Sequence, residues 1–385
     1  MNNFNLYTPT KIVFGKGEEN NVGEYLKPYG SKVLLHYGGG SVKRSGLYDR
    51  VVDSLNKAGM PFVELGGVVP NPRLSLVHEG VALCRKEKVD LILSIGGGSS
   101  LDSAKGIALG VPYDGDVWDF YDATLNPPVM PTTALPVASI ITLPATGSEM
   151  SDASVLTNEE QVRKNGCGSD LIRPVLSILD PELCFTLPAN QVANGIVDIF
   201  SHVMERYMAP NTHVDTTDRM CEAVMRAVIS NGALLMKDLH NYDNWAEIMW
   251  AGSVAHNGIL GVGRNQSWAS HGLEVEASAV YDIPHGQGLA IIIPAWMRTV
   301  YQSDPTRFMQ FAVRVMDVEM AFNDPDAIIL EGIQRLENFF RSIGQPTHFS
   351  EIGINDEKFE EMAQVCDAEK GVPYDISIAA YRAAL

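Results

Sequence analysis

Three short apolar runs, KVLLHY at 32–37, PFVEL at 61–65 and VDLILSI at 89–95, alternate with stretches of helical periodicity. This βαβαβ alternation leaves few folds open. Strands separated by helices lie parallel in one sheet with helices on both faces, and ligands bind outside the carboxyl ends of the strands. Two of the three ends carry Gly-Gly-Gly-Ser. Further strands are expected at Lys11 to Phe14, Pro136 to Leu143, Ser154 to Leu156 and Val175 to Leu179, the last closed by Asp180-Pro181. From Leu187-Pro188 onward the pattern changes to amphipathic helices, expected over 188–208, 215–239, 243–260, 266–280, 286–301, 305–316, 326–343 and 355–368. With 385 residues the chain exceeds the roughly 250–300 at which one core stops growing. Two domains are therefore expected, residues 1–185 α/β and residues 186–385 all helical. No Ser/Gly-rich or Pro-rich tract separates them, which predicts close packing around a cleft.

Charge narrows the partners. The chain has 29 Lys plus Arg against 47 Asp plus Glu, a formal net charge of −18, which disfavours nucleic acid and anionic membrane surfaces. The longest apolar runs, Ala134 to Pro144 and Leu289 to Trp296, fall short of the roughly 20 residues of a membrane-spanning helix, and MNNFNLYTPTK shows no secretory leader. Cys84, Cys167, Cys184, Cys221 and Cys366 are scattered, odd in number and without a C-x-x-C pair. They predict buried reduced thiols and a cytoplasmic protein.

The run from Gly96 to Lys105, GGGSSLDSAK, follows the strand ending at Ile95 and opens a helix. Glycines let the backbone approach an anion, and the free N–H groups and positive dipole end of the helix attract it, so a diphosphate would lie here. The spacing is not the Rossmann G-x-G-x-x-G. A second triple, Gly38-Gly39-Gly40-Ser41, follows the strand at 32–37 and falls at the same sheet edge. It lacks an acidic residue to bind a ribose 2′-hydroxyl, and Ser41, Lys43 and Arg44 are close by, so a 2′-phosphate would be tolerated. Lys43 and Arg44 read equally well as solvated residues at a helix start.

A second constellation suits a metal. Asp198 and His202 stand at i and i+4 in GIVDIFSHVMERYM, where four residues of helix bring both side chains to one face. His271 and His285 follow, and Pro284 argues that the helix carrying His271 ends near Tyr281 and that His285 begins the next element. Three imidazoles and one carboxylate suit Fe2+ or Zn2+ without selecting between them. The other histidines, His36, His78, His213, His240, His256 and His348, lack partners at ligand spacing; His256, beside Asn257-Gly258, is read as a structural histidine. There is no G-x-S-x-G elbow, H-E-x-x-H or P-loop, and Ser148 in ATGSE is not such an elbow.

PTKIVFGKG, YGGGSVKR, GGGSSLDSAK, LPATGSE, GIVDIFSH and H…YDIPHGQGLAI, in this order nearly end to end, resemble the iron-containing (group III) alcohol dehydrogenases. The similarity is greatest to the butanol-dehydrogenase-like branch, which includes NADPH-dependent aldehyde reductases. The resemblance implies a dehydroquinate-synthase-like architecture, with a dinucleotide-binding α/β domain and an all-helical metal-binding domain. It also implies a metal on Asp198, His202, His271 and His285, Fe2+ or alternatively Zn2+, as the catalytic centre. The coenzyme diphosphate would map to Gly97, Gly98 and Ser99 with Asp102 nearby, its ribose side to Gly38, Gly39 and Ser41. Thr142, Leu143, Thr146, Ser148, Lys164 and Leu183 would line the nicotinamide half. NAD-selective relatives carry an aspartate at or beside Gly39, so NADP(H) is the expected coenzyme, with NAD(H) as the alternative. The implied reaction moves a hydride between it and a primary alcohol or aldehyde of short to medium, butanol-like chain length. Trp268, Val275 and Trp296 suit an alkyl group and equally suit ordinary core. Many relatives carry a histidine four residues after His271, where this chain has Val275. Relatives also pair through an N-terminal strand, implying a homodimer. The last helix has barely begun when the chain ends at Leu385. Two other readings use the same features: a dehydroquinate-synthase-like lyase, and a catalytically weak nucleotide- and metal-binding protein.

Overall fold

In the computed structural model, which describes residues 1–122, 124–210, 213–321 and 323–385, the chain forms two compact units. One is Tyr7–Thr186; the other is Leu187–Leu385 together with Met1–Leu6.

The first unit is built on strands β1 (Lys11–Phe14), β2 (Val33–Tyr37), β3 (Phe62–Leu65), β4 (Leu91–Gly96), β5 (Val137–Ile141) and β8 (Leu176–Leu179), all parallel, in the order β1-β8-β5-β4-β2-β3. Its helices are α1 (Val22–Leu26), α2 (Ser41–Arg44), α3 (Leu47–Ala58), α4 (Leu74–Glu87) and α5 (Gly98–Gly110). Every residue of β2 and β4 is buried, which explains their unbroken apolar runs: a parallel sheet covered on both faces has no polar side. His36 in β2 is fully buried, and its ring is satisfied by Leu65 O and Ser103 Oγ, each at 2.9 Å. From β2 the chain moves outward to β3, then returns so that β4 pairs with the other edge of β2. Strand order reverses between β2 and β4, and the crevice beyond their carboxyl ends is where an open α/β sheet binds ligands. Both glycine triples sit there.

The expected strand at 136–143 is shorter, running from Val137 to Ile141, and its ladder with β4 closes on the Thr142 N–H to Gly96 O bond at 3.0 Å. The strand expected at 154–156 is longer, β6 (Ala153–Asn158), and it forms an antiparallel hairpin with an unanticipated strand, β7 (Arg163–Gly168).

The second unit comprises α6 (Ala189–Tyr207), α7 (Asp215–Leu235), α8 (Tyr242–His256), α9 (Ala269–Tyr281), α10 (His285–Val300), α11 (Pro305–Arg314), α12 (Pro325–Ser342), α13 (Phe359–Val365) and α14 (Tyr374–Ala383). Helix α10 packs against α6, α9, α12 and α14, and its stretch from Gly288 to Met297 is buried throughout, as befits the centre of a helical core. The last helix, α14, runs over ten residues and is docked: Tyr381 is buried and its hydroxyl donates to Leu273 O at 2.8 Å. Residues 1–10 form no strand. Asn2 instead donates from its N–H to Gly263 O at 2.8 Å and from Nδ2 to Asn265 Oδ1 at 2.9 Å. All five cysteines are free and buried. Among the described residues no helix is long and apolar enough to cross a membrane.

Candidate metal and coenzyme sites

In the helical unit, α6 carries Asp198 and His202 on one face, α9 carries His271 in its first turn, and α10 begins with His285. Asp282 in the left-handed conformation ends α9, and Pro284 directly precedes α10, so the connection is short and His285 is aimed by the start of its helix. The four side chains converge. Asp198 Oδ1 lies 3.7 Å from His202 Nδ1, 3.9 Å from His271 Nε2 and 3.7 Å from His285 Nε2. One ligand atom each from Asp198, His202 and His271 falls within 4.8 Å of the others. Bonds of about 2.1 Å around a tetrahedral ion separate its ligand atoms by about 3.4 Å, so the spacing is close to that of a coordination sphere. His202 Nδ1 and His271 Nε2 are buried and make no hydrogen bond. Buried nitrogens with no partner are costly in a folded protein, and a divalent ion would use such lone pairs. The donor set fits the ion.

The outer nitrogens are held by carboxylates not identified from the sequence. His271 Nδ1 pairs with Glu205 Oε2, and His285 Nδ1 pairs with Glu274 Oε2. Glu205 and Glu274 are almost fully buried. Such carboxylate–histidine pairs fix tautomer and ring plane and raise the basicity of the ligating nitrogen. Glu205 Oε1 also accepts from the Ser270 N–H and Oγ at 2.7 Å each and from the His271 N–H at 3.1 Å. The residue before α9, Trp268, supplies no side-chain cap, so a carboxylate from α6 caps the helix instead. Glu274 Oε1 is fixed by Ser278 Oγ at 2.8 Å. In sequence each glutamate stands one turn after a ligand, HVME at 202–205 and HGLE at 271–274, but it pairs with the ring of a different segment, so the spacing alone does not reveal it.

Electrostatics separates the histidines. Burial drives the His202 pKa well below its ordinary value, and His256, His271, Arg206 and His285 push the same way. Burial also opposes charge on His271, but the Glu205 carboxylate, with Asp198 and Glu274, outweighs it and the pKa rises. Trp268 stands edge-on to His271 at 5.2 Å with the Arg206 guanidinium 4.5 Å over its ring. Val275 is half-buried one turn after His271. Trp296 packs on Phe308 at 6.2 Å as ordinary core.

In the sheet unit, Gly97 precedes α5, whose first turn holds Gly98 and Ser99. The leading N–H groups of a helix have no acceptor within it and face an incoming anion. The 142–148 loop walls this turn. A Cβ on Gly97 would meet Leu143 Cβ at 3.1 Å, and one on Gly98 would clash with Thr146 Cγ2. Asp102 Oδ1 accepts from Ser148 Oγ at 2.7 Å and Asp102 Oδ2 from the Val155 N–H at 3.1 Å. Lys105, fully buried beneath, donates to Ser148 O at 2.8 Å, Ser151 O at 3.0 Å and Ala153 O at 2.8 Å. Burial lowers its pKa to about 8 against the pull of Asp102. Gly38 adjoins the same turn, with Ser100 Oγ 3.7 Å from a Cβ built there, whereas Gly39 faces open space. Ser41 starts α2 and is exposed. Arg44 folds back on this turn, its Nη1 only 2.6 Å from a Cβ built on Gly40. Glu64 is already engaged by Tyr37 Oη at 2.6 Å and Lys43 Nζ at 3.5 Å. Lys164 is buried on β7 opposite Thr157. Leu183 is partly buried against the apolar cluster between the sheet and α1 and α3.

Two family models match the chain, iron-containing alcohol dehydrogenase over residues 9–181 and the C-terminal model of the Fe-containing alcohol dehydrogenase family over 192–375. A probable NADH-dependent butanol dehydrogenase 1 of Bacillus subtilis is 48% identical, over 94% of this chain and 93% of that one. The NADPH-dependent aldehyde reductase YqhD of Escherichia coli is 38% identical, over 92% and 90%. The crystal structure of NADH-dependent butanol dehydrogenase A from Thermotoga maritima superposes with a TM-score of 0.95 at 37% identity, covering 100% of this chain and 99% of that one. Matched along both units, by sequence and by fold, the chain belongs to the iron-containing alcohol dehydrogenase family and is an NAD(P)-dependent enzyme acting on alcohols and aldehydes.

Proposed function

We propose that the enzyme interconverts a primary alcohol of short to medium chain length and its aldehyde, with a divalent ion, Fe2+ or alternatively Zn2+, held by Asp198, His202, His271 and His285. The observation that carries this is the approach of three imidazoles to one buried carboxylate oxygen at 3.7 to 3.9 Å. When bound, the ion supplies a Lewis-acid centre for the substrate oxygen. The chain's own residues prepare that centre. Glu205 and Glu274 hold the protons at Nδ1 of His271 and His285, which leaves both Nε2 lone pairs directed toward Asp198. Trp268 and Val275 offer apolar surface for the alkyl group.

The coenzyme diphosphate is assigned to Gly97, Gly98 and Ser99 at the start of α5, with the 142–148 loop beside it. NADPH is the preferred coenzyme, with NADH as the alternative, because Arg44 lies against the first glycine turn and the nearby Glu64 carboxylate already accepts from Tyr37 and is paired with Lys43. Among the relatives, the names point both ways on this preference. We also assign the protein to the cytoplasm as a homodimer, with β1, at the edge of its sheet, and the exposed Tyr7 before it as the pairing edge.

The test is butanal-dependent oxidation of NADPH and, separately, NADH by apo protein reloaded anaerobically with Fe2+ or Zn2+. Turnover with NADPH that disappears in chelator and in Asp198→Ala is expected. A preference for NADH of more than tenfold would overturn the coenzyme assignment. No turnover with either coenzyme despite bound metal would overturn the reaction.

A further inference from the structure

Two of the three histidines around Asp198 are fixed from behind by a carboxylate. His202 is not: its Nδ1 faces Asp198 Oδ1 at 3.7 Å, and among the described residues no carboxylate or other hydrogen-bond partner holds its ring from behind. Its ring is bracketed by other rings instead. His271 is stacked on it at 4.9 Å with planes 24° apart, and His256 lies at 4.3 Å with planes 36° apart, while Trp268 meets it edge-on at 6.0 Å. His256 itself also lies 5.7 Å from Trp268. His256 is the last residue of α8 and is followed by Asn257 and by Gly258 at φ 101°. The left-handed glycine stops the helix, and Asn257 Oδ1 accepts the Ile259 N–H at 2.9 Å, which holds the turn closed. The end of α8 is thus a rigid mount for one ring pressed against a metal ligand.

We propose that His256 is a positioning residue, neither ligand nor proton carrier, that holds the His202 ring in ligating orientation by ring packing, in place of the carboxylate that His271 and His285 each have. The inference rests on the reading that Asp198, His202, His271 and His285 bind a divalent ion. A ring held only by packing can rotate out of the coordination sphere when its neighbour is removed, and loss of outer-shell support lowers metal affinity by about ten- to a hundredfold. The shape of the neighbour is what matters, so a phenyl ring serves and a methyl group does not.

The experiment uses Co2+ loaded into the full-length protein, its visible absorption reporting coordination, and follows release to excess EDTA in wild type, His256→Ala and His256→Phe. Circular dichroism of each apo protein establishes that it is folded. Release about tenfold faster from His256→Ala, with a changed Co2+ spectrum, and release within about twofold of wild type from His256→Phe are expected. Wild-type release and spectrum in His256→Ala would overturn the proposal. So would fast release from both variants, since the imidazole nitrogens rather than the ring would then be responsible. Failure of wild type to hold one equivalent of Co2+, or undiminished binding in Asp198→Ala, would instead sink the metal reading itself. A fold defect confined to His256→Ala leaves the decision to His256→Phe and His256→Leu, where equal release from the two would again overturn it.

Discussion

Glu274 lies one helical turn after His271, yet its Oε2 pairs with Nδ1 of His285, while Glu205, one turn after His202, pairs with Nδ1 of His271. Each carboxylate lies behind the next histidine ligand along the chain, on a different helix. The four ligand candidates were legible because i, i+4 spacing and Pro284 constrain them locally. The two glutamates were not, because their partners come from other segments, and Glu at i+3 of a helical histidine otherwise reads as a solvated residue. Glu274→Gln is expected to lower divalent-ion affinity ten- to a hundredfold with the fold retained, measured by competition with a chromophoric chelator and by circular dichroism. A second residue carries a pH dependence. His36 is fully buried and neutral, its pKa pushed down by burial to about 4. The unfolded chain takes up a proton near pH 6.5 that the folded chain refuses. His36 therefore contributes fully above pH 6.5, and its contribution is lost as pH falls toward 4, up to about 3 kcal/mol. Urea denaturation across this window should be steeper in pH for wild type than for His36→Gln.

Among the elements, α5 and the loops around it show what local pattern can and cannot convey. The central parallel strands β2, β4, β5 and β8 announced themselves as buried, largely apolar runs, and most helices of the second unit by their periodicity. Strand β7 did not, since RKNGCG has no β-branched residue; it is a strand because β6 pairs with it along its length. The helix expected over 355–368 likewise breaks into α13 and a π-helical turn at Cys366–Lys370, where the chain packs on Gly272 beside His271. Lys105 ties α5 to the 148–153 segment through three carbonyls. Lys105→Met should remove the lysine donor from Ser151 O and Ala153 O, while Ser148 O keeps the Ser151 N–H, costing about 1–3 kcal/mol in denaturant titrations and raising the coenzyme KM several-fold. In Gly98→Ala the new methyl would contact Thr146. That overpacking should cost about 1–3 kcal/mol and weaken coenzyme binding, readable by fluorescence titration of NADPH.

For the whole molecule, the two candidate sites belong to different compact units, so their ligands should leave separate marks. An ion present at a hundred times its Kd stabilises the state that binds it by about 2.7 kcal/mol. Hydrogen exchange should show slower exchange in α6, α9 and the start of α10 when metal is added, and in 38–44 and 96–105 when NADPH is added. Chelation should reverse the first pattern and lower the melting temperature. The cap that Glu205 provides to α9 has a consequence for this experiment. One carboxylate closes the start of a helix and fixes the tautomer of a ligand, so α9 cannot slip along its neighbour by a turn without disarming His271. Since Glu274 hands the same dependence on to α10, the three helices form a lock in which the ion tests whether each has been threaded to the correct tooth.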